Sequence, residues 1–305
     1  MTRRLKALVL GRSGQLAQAL QRLGGPNAEI VAAGRPQADI LDGASLSRII
    51  GDEQPDVVIN AAAYTAVDAA EDNIEQAFAI NETGAANAAI AAASAGLPII
   101  HVSTDYVFPG SGDRPYVETD ACGPINVYGK SKHVGELAVA TANDQHLIFR
   151  TSWVFSPDGG NFVKTMLRLA ANAASDEPQV RVVSDQFGVP NAADDLARAI
   201  MTSALTAVSE PAASWRGVYH LSARGAVSWA DFAAEIFAQS KELGGPFATV
   251  TPISTQDYPT RAKRPQYSVL DPTLFETRFQ TPAVDWRSGL RSCLTKLISK
   301  DRPSN

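Results

Sequence analysis

Apolar runs alternate with helix-compatible stretches along the first half of the chain. Lys6–Leu10 and Ala28–Ala33 predict two strands, and Asp56–Asn60 and Pro98–Ser103 two more that are apolar almost without interruption. Strands apolar on both faces belong inside a parallel sheet covered by helices on each side. Between them, Gln15–Leu23 predicts a helix, and Asp72–Ala95, rich in alanine and free of proline, a long one. His146–Arg150 supplies a further strand. This alternation predicts an α/β fold on a doubly wound parallel sheet of the Rossmann type.

The second half is less regular. Helices are expected over Phe162–Ala174, Ala192–Leu205 and Trp229–Leu243, and strands over Val180–Val183 and Val218–Leu221. From Pro246 onward proline recurs at 252, 259, 265, 272 and 282, which implies short elements joined by ordered loops. The expected division is a first domain over 1–151, with 180–222 returning to its sheet, and a smaller interleaved C-terminal lobe over 152–305.

Composition narrows the function classes. Hydrophobic residues at 45 % and charged residues at 19 % of 305 describe a globular chain. A net charge of −5 disfavours a phosphate backbone, so no nucleic-acid partner is expected. Cys122 and Cys293, far apart, form neither a disulfide framework nor a metal-ligand spacing. Met1–Arg4 resembles the start of a signal peptide, but the apolar run after it stops at Gly11-Arg12-Ser13-Gly14. The expectation is a cytoplasmic protein with no membrane partner.

Two motifs carry chemistry. Gly11-Arg12-Ser13-Gly14-Gln15-Leu16-Ala17 lies between the first strand and the first helix, where glycines let backbone N–H groups approach a pyrophosphate at a helix N-terminus. An ordinary βα turn is the plain alternative. The second strand ends Ala33-Gly34-Arg35-Pro36 without the carboxylate that would hold a ribose 2′-hydroxyl. Arg35 could instead pair with a 2′-phosphate, favouring NADP over NAD, or stand in solvent.

The second motif is Tyr128-Gly129-Lys130-Ser131-Lys132, opening a helix that should run to about Ala142. Four residues apart, Tyr128 and Lys132 share a helical face. An ammonium near the phenol would lower its pKa from about 10 toward the range of proton transfer. A surface pair is the alternative. Ser103-Thr104-Asp105-Tyr106 follows the preceding strand at its C-terminal end, where doubly wound folds bind ligands.

These residues resemble the extended short-chain dehydrogenase/reductase superfamily and, within it, the dTDP-4-dehydrorhamnose reductase family. The similarity spans nearly the whole chain. It rests on Gly11–Leu16, Asn60–Asp68, Ser103–Gly110, Asn126–Gly129, Arg150–Phe155, Asn161-Phe162, Asp185–Pro190, Arg264-Pro265 and Ser268–Asp271. The resemblance implies NADPH-dependent reduction of the 4-keto group of dTDP-4-dehydro-β-L-rhamnose to dTDP-L-rhamnose, with NADH an open alternative. It implies Tyr128 as proton donor, Lys132 as the group that lowers its pKa and holds ribose, and Thr104 as a partner of the reacting oxygen. Gly11, Ser13, Gly14, Gln15, Leu16, Arg35, Asp39, Ile40, Ala62, Ala63, Tyr64 and Thr65 would border the cofactor, together with Tyr128 and Lys132. Val67, Thr104, Asp105, Tyr106 and Trp153 would meet the nucleotide-sugar substrate, the indole of Trp153 offering a flat apolar face and one N–H. The chain also departs from the family. Glutamates that bridge a magnesium ion between subunits in some members correspond here to Ala19 and Lys296, leaving only Asp194 as a carboxylate. No bridging magnesium, and a monomer or weak homodimer, are therefore expected. Two rivals stay open: a nucleotide-sugar epimerase or dehydratase of the same superfamily, and a non-catalytic NADP-binding regulatory subunit.

Overall fold

A computed structural model describes residues 4–173 and 178–300. Met1, Thr2 and Arg3 of the signal-like start, and Ala174 at the end of an expected helix, lie outside the described residues. The elements run β1 (Leu5–Leu10), α1 (Gln15–Arg22), β2 (Ala28–Ala33), α2 (Gly43–Glu53), β3 (Val57–Asn60), α3 (Val67–Ala70), α4 (Ile74–Phe78), α5 (Ala85–Ser94), β4 (Ile99–Thr104), α6 (Val127–Ala142) and β5 (His146–Thr151). There follow β6 (Val154–Phe155), α7 (Phe162–Ala171), β7 (Gln179–Val183), β8 (Phe187–Gly188), β9 (Asn191–Ala192), α8 (Ala193–Ser209), β10 (Gly217–His220), β11 (Val227–Ser228), α9 (Trp229–Glu242), β12 (Thr249–Ile253), α10 (Thr273–Phe279) and α11 (Trp286–Lys300).

Six strands form one sheet in the order β10-β5-β4-β3-β1-β2, with every pairing parallel. Strand order reverses at β1, where the chain moves outward to β2 and then back across to β3. Doubly wound sheets hold ligands at this switch point, beyond the carboxyl ends of the strands. The reason the strands sit centrally is visible in their burial: all four residues of β3 are buried, as are five of six in β4. Helices α1 and α8 cover one face with Leu16, Leu20, Leu196 and Ile200, and α2 and α5 cover the other with Leu46, Ile50 and a row of alanines.

Two expectations are corrected. The helix foreseen over Asp72–Ala95 is divided: between α4 and α5 the chain widens into a π-helical turn, Ala79–Gly84. That turn aims the Asn81 amide at the Tyr64 backbone, accepting from its N–H at 2.8 Å and donating to its carbonyl at 3.1 Å. Of the segment 180–222 expected back in the main sheet, β10 returns but β7 does not. It pairs with β12 in a separate two-stranded sheet. Its buried residues, Val180 and Val182, belong to a second apolar cluster with α7, α9 and α11.

Among the described residues no helix is long and apolar enough to cross a membrane.

Candidate active site

The turn after β1 is shaped by close approach. Gly11 has φ of +107°, and a Cβ there would lie 3.1 Å from the amide nitrogen of Ala62, so only glycine lets the β1 and β3 loops meet. Gly14, the N-cap of α1, has open space where its Cβ would be. Its side chain slot is thus free on the side where the helix N-terminus presents unpaired N–H groups. Gln15 leans away, donating to the Val154 carbonyl and accepting from Asn161. Leu16 is core, so only its backbone faces outward. Ser13 and Arg35 are exposed. Arg12 packs its Cβ beside Gly34, so a second arginine is rooted near the end of β2. Asp39 accepts from Leu41, and Asn87 of α5 donates to the Ile40 carbonyl, fixing that loop. Ala62, Ala63, Tyr64 and Thr65 form the loop between β3 and α3, with Val67 at the start of α3.

The hydroxyl-bearing segment sits where β4 ends. Thr104 Oγ1 accepts from the Tyr106 N–H at 3.2 Å and donates to Asp105 Oδ1 at 2.9 Å. Asp105 is buried, and burial pushes its carboxyl up to about 7, with the Ser268 and Thr104 hydroxyls pulling the other way. Helix α6 lies directly on this turn, because a Cβ on Gly129 would stand 2.2 Å from the Tyr106 carbonyl oxygen. That contact seats the Tyr128 ring edge-on to Tyr106, centroids 5.8 Å apart.

Tyr128 and Lys132 are set by different neighbours. Tyr128 keeps some residue exposure, yet desolvation pushes its phenol above the ordinary 10, with the Thr104 hydroxyl drawing it down. The two side chains do share a face of α6, but Lys132 is only 1 % exposed and needs an acceptor. Its Nζ donates to the Val102 carbonyl at 2.6 Å and lies 3.3 Å from His101 Nε2, both on β4. Burial brings its pKa down to about 8, opposed by the Glu136 carboxylate one turn along. Glu136 is itself held to about 2: His133, a two-pronged Arg150 contact (2.9 and 2.7 Å) and Ser103 outweigh its burial.

A cavity of about 820 Å³ opens beside Tyr106. Phe162, Met166 and Trp229 give it apolar walls, and Arg181, Arg261 and Arg264 stand around it. Arg264 bridges Tyr106 Oη (3.3 Å) and Asp68 (2.6 Å), while Arg261 pairs with Asp72, so loop 258–264 is strapped to α3 and to the turn that follows it. Trp153 adopts φ of +43° and lies flat on Trp229, ring centroids 3.4 Å apart, its edge against Gly188. One face of the indole expected to meet a sugar is therefore covered, and Trp229 lines the cavity.

The chain matches the family model described as RmlD substrate binding domain over residues 5–299. It is 44 % identical to dTDP-4-dehydrorhamnose reductase of Sinorhizobium fredii, covering 96 % of this chain and 98 % of that one. Identity to the reductase of the same name from Escherichia coli K12 is 39 %, covering 97 % and 99 %. The crystal structure of dTDP-4-dehydrorhamnose reductase from Bacillus anthracis in complex with NADP superposes with a TM-score of 0.88 at 32 % identity, over 96 % of this chain and all of that one. The chain belongs to the RmlD family.

Within this RmlD-family chain, sequence reasoning missed Arg12, Trp229, Arg261 and the Asp68–Arg264 pair as site residues. Asp68 and Arg264 were inside the family motifs, but a motif does not say that residues 196 positions apart will touch. Trp229 carried a helical signal only, because it opens α9 with Ser228 as N-cap.

Proposed function

We propose that this chain reduces the 4-keto group of dTDP-4-dehydro-β-L-rhamnose to dTDP-L-rhamnose with NADPH, Tyr128 giving the proton. The observation that carries the reading is a neutral, desolvated phenol beside Thr104, next to a tyrosine that lines a cavity edged by arginines. The residues present suit NADPH. Gly11 and Gly14 leave backbone room at the α1 N-terminus, and Arg12 and Arg35 are cations near the end of β2, where no carboxylate stands. When bound, NADPH supplies the hydride.

The protein supplies the rest. A hydride delivered to the carbonyl carbon leaves charge on its oxygen, and the Tyr128 O–H quenches that charge by proton transfer. Thr104 positions the phenol and the oxygen, and its own proton is held by Asp105 in this geometry. Arg181, Arg261 and Arg264 suit the diphosphate of a sugar nucleotide, and Trp229 and Phe162 its apolar parts. Arg264→Met is therefore expected to raise KM for the sugar nucleotide roughly tenfold, the scale of one charge-assisted hydrogen bond, with little change in kcat. Steady-state kinetics at saturating NADPH check this.

The deciding assay is loss of NADPH absorbance with the 4-keto sugar nucleotide. No loss at any enzyme concentration would favour the regulatory subunit, and substrate conversion without NADPH consumption an epimerase. Against a dehydratase stands the absence of a glutamate in Thr104-Asp105-Tyr106. We also propose a monomer or weak homodimer without bridging magnesium. Ala19 is in the core, and Arg22 and Lys296 (2.5 and 2.7 Å) already neutralise Asp194. Gel filtration should give the same elution volume with and without EDTA, whereas an EDTA-sensitive dimer would refute the proposal.

A further inference from the structure

The helix that carries Tyr128 also grips loop 258–264, through one side-chain amide that takes no part in the reaction. Asn126 is the N-cap of α6, and its Oδ1 accepts from the Gly129 N–H at 2.8 Å. The same side chain donates through Nδ2 to the Lys263 carbonyl at 2.9 Å. An N–H on one side and a carbonyl on the other allow the amide only this orientation. Only 3 % of the residue is exposed, so both bonds are shielded from bulk water.

Lys263 immediately precedes Arg264, which lines the cavity beside Tyr106. Holding the Lys263 carbonyl fixes the peptide from which the Arg264 side chain leaves. Asp68 secures the same stretch with both oxygens, Oδ1 accepting from the Ala262 N–H at 3.1 Å and Oδ2 from the Arg264 guanidinium. On the other flank Pro265 is pressed onto Gly110, where a Cβ would stand 2.2 Å from Pro265 Cβ. We propose that Asn126 is a positioning residue for substrate binding: by tying the Lys263 carbonyl to the first turn of α6, it presents the Arg264 guanidinium to the diphosphate of a sugar nucleotide in register with Tyr128. This rests on the reading of the cavity as a sugar-nucleotide site. With the loop tied, Arg264 meets the diphosphate already placed. Untied, binding must first order the loop, and that cost enters KM.

A plain helix cap is the competing account, and chemistry separates the two. Asparagine and aspartate cap helices about equally well. Asn126→Asp therefore keeps an acceptor for the Gly129 N–H, while Glu71 Oε1 still takes the Val127 N–H at 2.8 Å. It has no donor for the Lys263 carbonyl and sets oxygen against oxygen there. If capping were the whole role, this substitution would change nothing. If the amide ties the loop, α6 stays in place and the loop is released.

The test is a kinetic cycle of Asn126→Asp, Arg264→Met and the double variant at saturating NADPH, with amide hydrogen exchange of the full chain alongside. Asn126→Asp is expected to raise KM for the sugar nucleotide about fivefold, the scale of one neutral hydrogen bond, with kcat within about twofold. Exchange of the buried Ala262 N–H should quicken about fivefold while the α6 amides hold their rates. In the Arg264→Met background the same substitution should change KM less than about twofold, because the guanidinium it presents is gone. Wild-type KM or wild-type Ala262 exchange in Asn126→Asp overturns the proposal. So does a KM increase that persists in full without Arg264, which would mark simple repulsion between the new carboxylate and the diphosphate. Should Asn126→Asp fail to fold, Asn126→Ser, which caps α6 but is too short to reach Lys263, carries the same expectations and the same overturning results. A wild-type chain that consumes no NADPH with the 4-keto sugar nucleotide sinks the functional reading and leaves the exchange measurement standing.

Discussion

Replacing Tyr128 by phenylalanine is expected to lower kcat about 10³-fold, within the usual worth of a positioned general acid. The ring would remain edge-on to Tyr106, and Gly129 would still lie against the Tyr106 carbonyl, so α6 keeps its place. Only the hydroxyl beside Thr104 is lost. NADPH affinity should hold at the wild-type value, which separates lost proton transfer from a damaged site. Because burial holds the phenol above 10, Tyr128 stays protonated, and loaded as an acid, through the physiological range. Single-turnover kinetics with bound NADPH measure the step directly, and turnover near wild type would remove Tyr128 from its role.

Lys132→Met should give the opposite balance: a more stable protein that is nearly inactive and binds NADPH poorly. In the folded chain the Lys132 pKa falls from 10.5 to about 8, equivalent to about 3 kcal/mol against the buried ammonium at neutral pH. Methionine fills the space without a charge, but the Val102 carbonyl loses its donor, a cost of about 1 kcal/mol. The net gain is about 2 kcal/mol, readable from denaturant midpoints. Its pH dependence is distinctive. Between about pH 8 and 10.5 the unfolded chain holds the lysine proton and the folded chain does not, so wild-type stability gains from this group as pH rises. The advantage of the methionine variant should therefore shrink across that window. A variant less stable than wild type at pH 7 would contradict the buried, strained ammonium.

The parallel core was legible because central strands leave no ambiguity: a run such as Val57–Asn60 is apolar on both faces, and only the middle of a covered sheet takes it. The same logic fails for β7. Its exposed and buried residues alternate, a period that says strand and half-buried but not which partner, and the partner proved to be β12, some 70 residues on. The π turn at Ala79–Gly84 was invisible because alanine-rich sequence is equally compatible with both windings, and the Asn81–Tyr64 contacts that accompany it are tertiary. At the site, the Tyr128 and Lys132 spacing correctly placed both on one helix face. It could not say where a long flexible ammonium would turn, and the Val102 carbonyl is the nearer acceptor. The cavity walls were least legible of all, since Trp229, Arg261 and Arg264 are brought to Tyr106 by the packing of α9 and of a proline-rich loop, not by any local pattern.

The flat stack of Trp153 on Trp229, at 3.4 Å and 8° from parallel, makes the two indoles a single coupled chromophore. Their transitions mix into an exciton pair, and any ligand that wedges against Trp229 perturbs both members at once. The protein thus carries a built-in optical gauge of cavity occupancy, legible in near-ultraviolet circular dichroism without a label.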